Sequence, residues 1–267
     1  LLDAALAGAA AIVPIYARGA IEACTKADDS PVTEADIAAE RAIVARLAAS
    51  APEIPIVSEE MAAEGRVPPP SPRFFLVDPL DGTKEFIRRN GEFTVNIALI
   101  ENGAPVAGIV LAPALGRVFA TDARGGAREA ALREGAPGPW RAIGCRTAPP
   151  HGLVAVASRS HAGPRTDAYL ARFEVARRTS AGSSLKFCLL AAGEADLYPR
   201  FGRTMEWDTA AGHAVLAAAG GRVTTLDGAE LRYGKRGRAD APDFANPDFV
   251  ACGRGVDLAR AAAAGPP

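Results

Sequence analysis

Neither a C-x-x-C pair nor any cluster of cysteines occurs in this sequence; its four cysteines, Cys24, Cys145, Cys188 and Cys252, are scattered. That spacing excludes a zinc ribbon and a disulfide scaffold, and it fits free buried thiols in a reducing cytosol. No apolar run reaches the ~20 residues that a membrane-spanning helix needs. The opening stretch, Leu1 to Arg18, has no basic leader before its apolar part. A first core helix is therefore expected there rather than a cleaved signal peptide. An excess of charge of one sign is missing too: the formal net charge is -1. Nucleic acid is not an expected partner on that balance, although a local basic pocket stays open.

What is present is an ordinary soluble composition, 49% hydrophobic and 23% charged over 267 residues. This is enough chain to bury a sizeable core as one large domain or two closely packed halves. Leu2, Leu6, Ala9, Ile12 and Val13 recur at helical spacing up to Gly19. Thr33 is a candidate N-cap with Asp36 three residues on, before the helix-forming run Ile37 to Ala49, which puts Asp36 at the mouth of a helix. Pro55 to Ser58 and Phe74 to Asp78 are short apolar runs of the kind that form buried strands. Phe93 to Glu101, Asn102-Gly103 and Pro105 to Leu111 make the strongest hairpin signal, since Asn-Gly supplies the positive φ angles of a type I' turn. After a Gly/Pro/Arg-rich stretch from Gly125 to Pro150 come strand-like Leu153 to Ala157, helical Ser184 to Ala192, strand-like Asp196 to Tyr198 and helical Asp208 to Ala219. Arg222 to Leu226 then resumes as strand beyond Gly220-Gly221.

The chemistry sits where apolar strands end in acids: Glu59-Glu60, and Asp78-Pro-Leu-Asp81-Gly-Thr83. Pro79 cannot donate a backbone hydrogen bond, so a turn is expected there that brings Asp78 and Asp81 to one side. Two carboxylates held together repel unless a cation lies between them. Oxygen ligands without a convergent His or Cys favour magnesium over zinc, and the Leu80 carbonyl is a natural further ligand. Gly82-Thr83 open a further helical stretch, Lys84 to Arg88, whose free N–H groups suit phosphate oxygens.

Ser58-Glu-Glu60, Asp78-Pro-Leu-Asp-Gly-Thr83 and Trp207-Asp-Thr-Ala-Ala-Gly212 resemble the three signature motifs of the inositol-monophosphatase superfamily, in order and spacing. Asp29-Ser-Pro-Val-Thr33, the run Lys84 to Ile100, Ser183-Ser-Leu-Lys-Phe-Cys-Leu189 and Tyr198-Pro-Arg-Phe-Gly202 are similar to its bacterial CysQ-type 3'(2'),5'-bisphosphate nucleotidase branch. The resemblance covers nearly the whole chain; Asp122 to Pro150 and the last dozen residues are the least distinctive. It implies a layered α/β fold, an αβαβα sandwich of the inositol-monophosphatase and fructose-bisphosphatase kind. One phosphatase domain would span residues 1–267, with an N-terminal half to about residue 145 and a C-terminal half from about 146. A sheet containing antiparallel strands would lie in the first half and a smaller mixed sheet in the second, with the site between them.

By the same resemblance, Glu59, Asp78 and the Leu80 carbonyl hold one Mg2+, and Asp78, Asp81 and Asp208 a second, with a weaker third near Glu59. Asp36 or Glu59, with the Thr83 hydroxyl, orients and deprotonates the attacking water. The substrate-binding set is Leu80, Asp81, Gly82, Thr83, His161 of Ser158-Arg-Ser-His161, Ser183, Lys186, Arg200 and Asp208. Asp208 could otherwise serve only as a helix N-cap, Lys186 as a solvated surface charge and His161 as a loop histidine; His151 and His213 are read as structural. The implied reaction is hydrolysis of adenosine 3',5'-bisphosphate to AMP and phosphate, with 3'-phosphoadenosine 5'-phosphosulfate as a second substrate. It would recycle a by-product of sulfate assimilation and be sensitive to lithium. The enzyme would be cytoplasmic, a monomer or homodimer, with no integral membrane segment and peripheral association with the inner membrane left open.

Rival readings are an inositol monophosphatase, a fructose 1,6-bisphosphatase and, from a different class, an inactive nucleotide-binding regulatory module. A haloacid-dehalogenase-type phosphatase needs its two acids two residues apart, whereas Asp78 and Asp81 are three apart.

Overall fold

Five alternating layers of helix and sheet make up the computed structural model, which describes residues 1–18, 23–25, 31–149, 151–158 and 163–259. The outermost layer is a helix pair, α1 (Leu2–Ala17) and α2 (Glu34–Ser50). They close on each other at Gly8, where even a Cβ would meet Ile43 at 2.7 Å. The expected terminator Gly19 lies outside the described residues. Between the helices, β1 (Ala23–Thr25) and β2 (Pro31–Thr33) form a small antiparallel ribbon.

Beneath that pair lies an eight-stranded sheet. Its strands are β3 (Ile56–Ser58), β4 (Arg73–Asp81), β5 (Thr94–Glu101), β6 (Ala104–Ala112), β7 (Arg117–Thr121), β8 (Ala127–Arg133), β9 (Ala136–Pro137) and β10 (Arg141–Ile143). The order is β10-β8-β7-β6-β5-β4-β3, with β9 pairing β8. Only β3 and β4 run parallel. Two short helices sit at its site end, α3 (Glu59–Ala63) and α4 (Thr83–Ile87). The Gly/Pro/Arg-rich tract from Gly125 to Pro150 contains three strands of this sheet.

Side-chain alternation sorts the two faces. Phe75, Val77, Val95, Ile97, Ile109 and Leu111 pack under α1 and α2, while Phe74, Leu76, Ala98, Ile100 and Val110 face the opposite way. Against that second face lie α6 (Leu185–Ala191) and α7 (Glu206–Ala218). α7 approaches so closely at Gly108 that a Cβ there would meet the Ala211 carbonyl at 2.6 Å. Below these helices is a five-stranded mixed sheet, ordered β12-β11-β13-β15-β14. It comprises β11 (Leu153–Ser158), β12 (Val175–Ala181), β13 (Leu197–Arg200), β14 (Arg222–Thr225) and β15 (Phe249–Cys252). The last layer is α5 (Pro164–Leu170), whose Tyr169 and Leu170 join Ala155, Leu197 and Val250 in a separate core. The expected layered αβαβα arrangement, with a larger mostly antiparallel sheet and a smaller mixed one, is therefore present.

The hairpin follows its sequence signal: Asn102 and Gly103 have φ of 50° and 77°. The turn expected at Pro79 is not there. β4 runs on through Asp78, Pro79, Leu80 and Asp81, and its register against β5 shifts, so that Asp78 faces Asn96 and Asp81 faces Thr94. One extra residue on β4 makes this a β-bulge, where proline's missing donor costs no ladder bond. Among the described residues no helix is long and apolar enough to cross a membrane.

Candidate active site

Asp78 and Asp81 are three residues apart, which in a regular strand would put their side chains on opposite faces. The bulge reverses the alternation between them. Leu80 turns into the core under α1 and α2, and Asp81 joins Asp78 in lining a cleft of about 230 Å3. The mechanism that gathers the two acids is thus a bulge rather than a turn, with the same result for the site.

Glu59 comes to the cleft from the first position of α3, directly after β3. Asp208 comes from the first turn of α7, where its Oδ2 accepts the Met205 N–H at 2.8 Å. It is the third residue of that helix and not the residue that opens it. A carboxylate oxygen from each of Glu59, Asp78 and Asp208 lies within 4.8 Å of the other two. Burial, with added repulsion from Asp81 and Glu59, pushes the Asp208 carboxyl well above the usual range. Burial likewise raises Asp81 to about 6, against the pull of Lys186. Crowded, desolvated carboxylates with no cysteine or histidine among them are the donor set of a hard divalent cation, so the residues present fit a metal.

Asp81 is held from behind. Its Oδ2 accepts the Ser184 N–H at 2.7 Å and the Asn96 amide at 3.1 Å. Asn96 also donates to the Ser184 hydroxyl at 3.0 Å, and that hydroxyl donates to the Asp208 carbonyl at 2.6 Å. One polar chain therefore ties the acid on the large sheet to the acid on α7.

Asp36, only 2% exposed, caps α2: its Oδ2 accepts the Thr33 N–H at 2.8 Å and the Thr33 hydroxyl at 2.6 Å. Its other oxygen, Oδ1, accepts the Thr83 hydroxyl at 3.1 Å. Thr83 lines the cleft and also reaches the Leu80 carbonyl at 3.3 Å. Gly82 precedes it with φ of 92°, the left-handed region that glycine enters without strain. Helix α4 is only five residues long, so what it could offer an anion is a few N–H groups rather than a helix dipole.

Two buried cations, Lys186 and Arg200, line the same cleft. Lys186 is buried, not a solvated surface charge: its Nζ donates to the Ser183 carbonyl at 2.5 Å and the Ala181 carbonyl at 3.3 Å and lies 5.3 Å from the centre of the Tyr198 ring. Burial lowers its pKa to about 8, with Asp81 opposing. Arg200 at the end of β13 is 8% exposed, and its Nε is a buried donor without a hydrogen-bond partner. The buried Ser183 hydroxyl has none either, and Ser183 holds φ of 46°.

A family model described as the inositol monophosphatase family matches residues 2–252. The chain belongs to the inositol monophosphatase family. Among its relatives, a 3'(2'),5'-bisphosphate nucleotidase CysQ of Shigella flexneri is 48% identical over 230 residues, 86% of this chain and 88% of that one. The crystal structure of CysQ from Bacteroides thetaiotaomicron, 38% identical, superposes with a TM-score of 0.74 over 96% of both chains. An IMPase of Thermotoga maritima shares the fold with a TM-score of 0.75 at 23% identity, over 98% of this chain and 95% of that one.

The cleft of this family member brings together Glu59, Asp78, Leu80, Asp81, Gly82, Thr83, Ser183, Lys186, Arg200 and Asp208, with Asp36 attached through Thr83. His161, with Asp29 and Ser30 of the string Asp29 to Thr33, lies outside the described residues. His151 is exposed and pairs with Glu174 at 3.8 Å, and His213 is buried with Nδ1 3.0 Å from the Tyr233 hydroxyl. Sequence reasoning missed Asn96 and Ser184 as supports for Asp81. The available signal was a Thr-x-Asn step, Thr94 and Asn96, on the site-facing side of an otherwise apolar strand.

Proposed function

We propose that this chain is a Mg2+-dependent 3'(2'),5'-bisphosphate nucleotidase that hydrolyses adenosine 3',5'-bisphosphate to AMP and phosphate. The observation that carries the proposal is that one cleft is lined both by acids, Glu59, Asp78, Asp81 and Asp208, and by the buried cations Lys186 and Arg200. A substrate with two phosphoryl groups matches it: one dianion goes to the ions held by the acids, and the other, which would otherwise lack a counter-charge, meets the buried Lys186 and Arg200, whose Nε has no hydrogen-bond partner. The name of the Shigella flexneri relative supports the same substrate class.

Two or three ions would be held by Glu59, Asp78, the Leu80 carbonyl, Asp81 and Asp208. When bound, such ions stabilise charge on the phosphoryl oxygens and make a water molecule more acidic. The chain's own residues orient that water. The Thr83 hydroxyl, donating to Asp36 Oδ1, leaves its lone pairs to accept a proton from a water in the cleft, and Asp36 takes the proton handed on by Thr83. The water oxygen bonds to phosphorus as the bond to the 3' oxygen breaks, and a proton from solvent completes the departing hydroxyl. Lys186, Arg200 and Ser183 meanwhile grip the 5'-phosphate and fix the ester in line.

The same reading extends to 3'-phosphoadenosine 5'-phosphosulfate, whose 5' group is also anionic, and to a role in sulfate assimilation; lithium would compete at a magnesium position. Phosphate release from adenosine 3',5'-bisphosphate, inositol 1-phosphate and fructose 1,6-bisphosphate, each with Mg2+ and with chelator, tests the reading. The expected preference is for the nucleotide by at least tenfold in kcat/KM, with no turnover in chelator. Equal or better turnover of the inositol or fructose ester would assign another substrate.

A further inference from the structure

Glu40 does not line the cleft, yet it is 6% exposed, and its Oε1 lies 3.9 Å from the Arg66 guanidinium. It stands one turn after Asp36 on α2, so both side chains leave the same helix face. Its Oε2 accepts the Ser58 hydroxyl, the Glu60 N–H at 3.1 Å and the Met61 N–H at 3.1 Å. Those donors belong to the N-cap residue and the second and third residues of α3, whose first residue is Glu59.

A five-residue helix is too short to hold its own first turn. Ser58, a residue type that commonly caps with its own side chain, makes no such bond here. Its hydroxyl donates to Glu40 instead, and Glu40 satisfies the orphan N–H groups of α3 from another helix. We propose that Glu40 is a positioning residue that sets the direction of the Glu59 carboxylate toward the divalent cation. α2 then aligns both halves of the reaction: Asp36 holds Thr83, and Glu40, one turn on, holds Glu59. The inference rests on reading the acidic cluster as a cation site.

Loss of this support leaves Asp78, Asp208 and the Asp36–Thr83 pair in place. Metal affinity therefore falls while turnover at saturating metal largely survives. Outer supports of metal ligands are worth about 10–100-fold in affinity.

The test compares the full chain with Glu40→Gln, Glu40→Ala and Ile43→Ala, the last loosening the buried contact of α2 with Gly8 away from the site. Mn2+ binding is measured by calorimetry without substrate, beside thermal melts and the Mn2+ dependence of phosphate release. The expected result is Mn2+ binding about tenfold or more weaker in Glu40→Ala and less so in Glu40→Gln, with kcat at saturating Mn2+ within about threefold of the native chain. Ile43→Ala should lower the melting temperature and leave Mn2+ affinity unchanged. If Glu40→Ala does not fold, the Glu40→Gln titration decides alone. Native-like Mn2+ affinity in the Glu40 variants, or an equal loss in Ile43→Ala, overturns the inference while the cation site stands. A native chain that binds no Mn2+ overturns both.

Discussion

The Thr83 hydroxyl donates to Asp36 Oδ1 at 3.1 Å although 47 residues separate the two in the chain. Asp36 is fixed by its capping bonds to Thr33, so the group proposed as base for the attacking water is aligned by the same contacts that start α2. Asp36→Asn and Thr83→Ala should each lower kcat by about 10²- to 10⁴-fold, the usual worth of a positioned base. Mn2+ affinity should stay within a few-fold of native. The altered cap in Asp36→Asn should cost about 1 kcal/mol of stability. Rate assays and thermal melts on the two variants check this.

Burial and mutual repulsion raise Asp81, to about 6, and Asp208, so the metal-free fold carries a penalty at neutral pH. A folded-state pKa above the unfolded value gives stability that is present at low pH and lost as pH rises through the folded value. Asp81→Asn should thus raise the melting temperature in chelator at pH 7.5 by about 2–4 °C, the response of a chain of this size to ~1 kcal/mol. The same variant should lose the native stabilisation by Mg2+ and lose turnover.

Removing the Lys186 cation should discriminate between substrates. A charged hydrogen bond is worth about 1.5–3 kcal/mol, so Lys186→Ala should cut kcat/KM for adenosine 3',5'-bisphosphate by roughly tenfold or more. Adenosine 3'-monophosphate, with nothing at the 5' position, should be affected about threefold or less. Parallel kinetics on the two nucleotides read the difference.

His213 carries a separate pH signature. Burial lowers its pKa to about 4, below the ~6.5 of an unfolded chain. Protonation therefore favours unfolding: this part of the stability is intact above pH ~6.5 and is lost as pH falls toward 4, by about 3 kcal/mol in all. Denaturant titrations at pH 7 and pH 4.5 should show a smaller acid loss in His213→Gln than in the native chain.

Gly108 sets where α7 rests. A Cβ at this position would meet the Ala211 carbonyl at 2.6 Å and the Ala214 Cβ at 2.8 Å, so Gly108→Ala must displace the helix that presents Asp208. About 1–3 kcal/mol of stability should be lost, the usual cost of overpacking, together with weaker Mn2+ binding in calorimetry.

The parts of the site that could be read from sequence are those written in consecutive residues. Asp78, Asp81 and Thr83 stand in one hexapeptide, Thr33 and Asp36 announce a cap by their spacing, and Asn102-Gly103 specifies its own turn. The bulge at Pro79 could not be read, because a bulge is a mismatch between two strands and the count of residues on β5 decides it. The Asn96–Ser184 link spans 88 residues and the Glu40–Ser58 link 18, so both exist only after the layers have packed. Strands β8 and β12 were illegible for another reason. Each mixes alanine with arginine in sequences such as Val-Ala-Arg-Arg-Thr-Ser-Ala, and neither offers the β-branched alternation that marks a strand facing one core.

The most direct test of the account is a crystal of the full chain soaked in Mn2+ and examined for anomalous difference density. The account predicts peaks in the cleft at coordination distance from carboxylate oxygens of Glu59, Asp78, Asp81 and Asp208, lost in Asp78→Asn. Density elsewhere, or none in the cleft at saturating Mn2+, would contradict it.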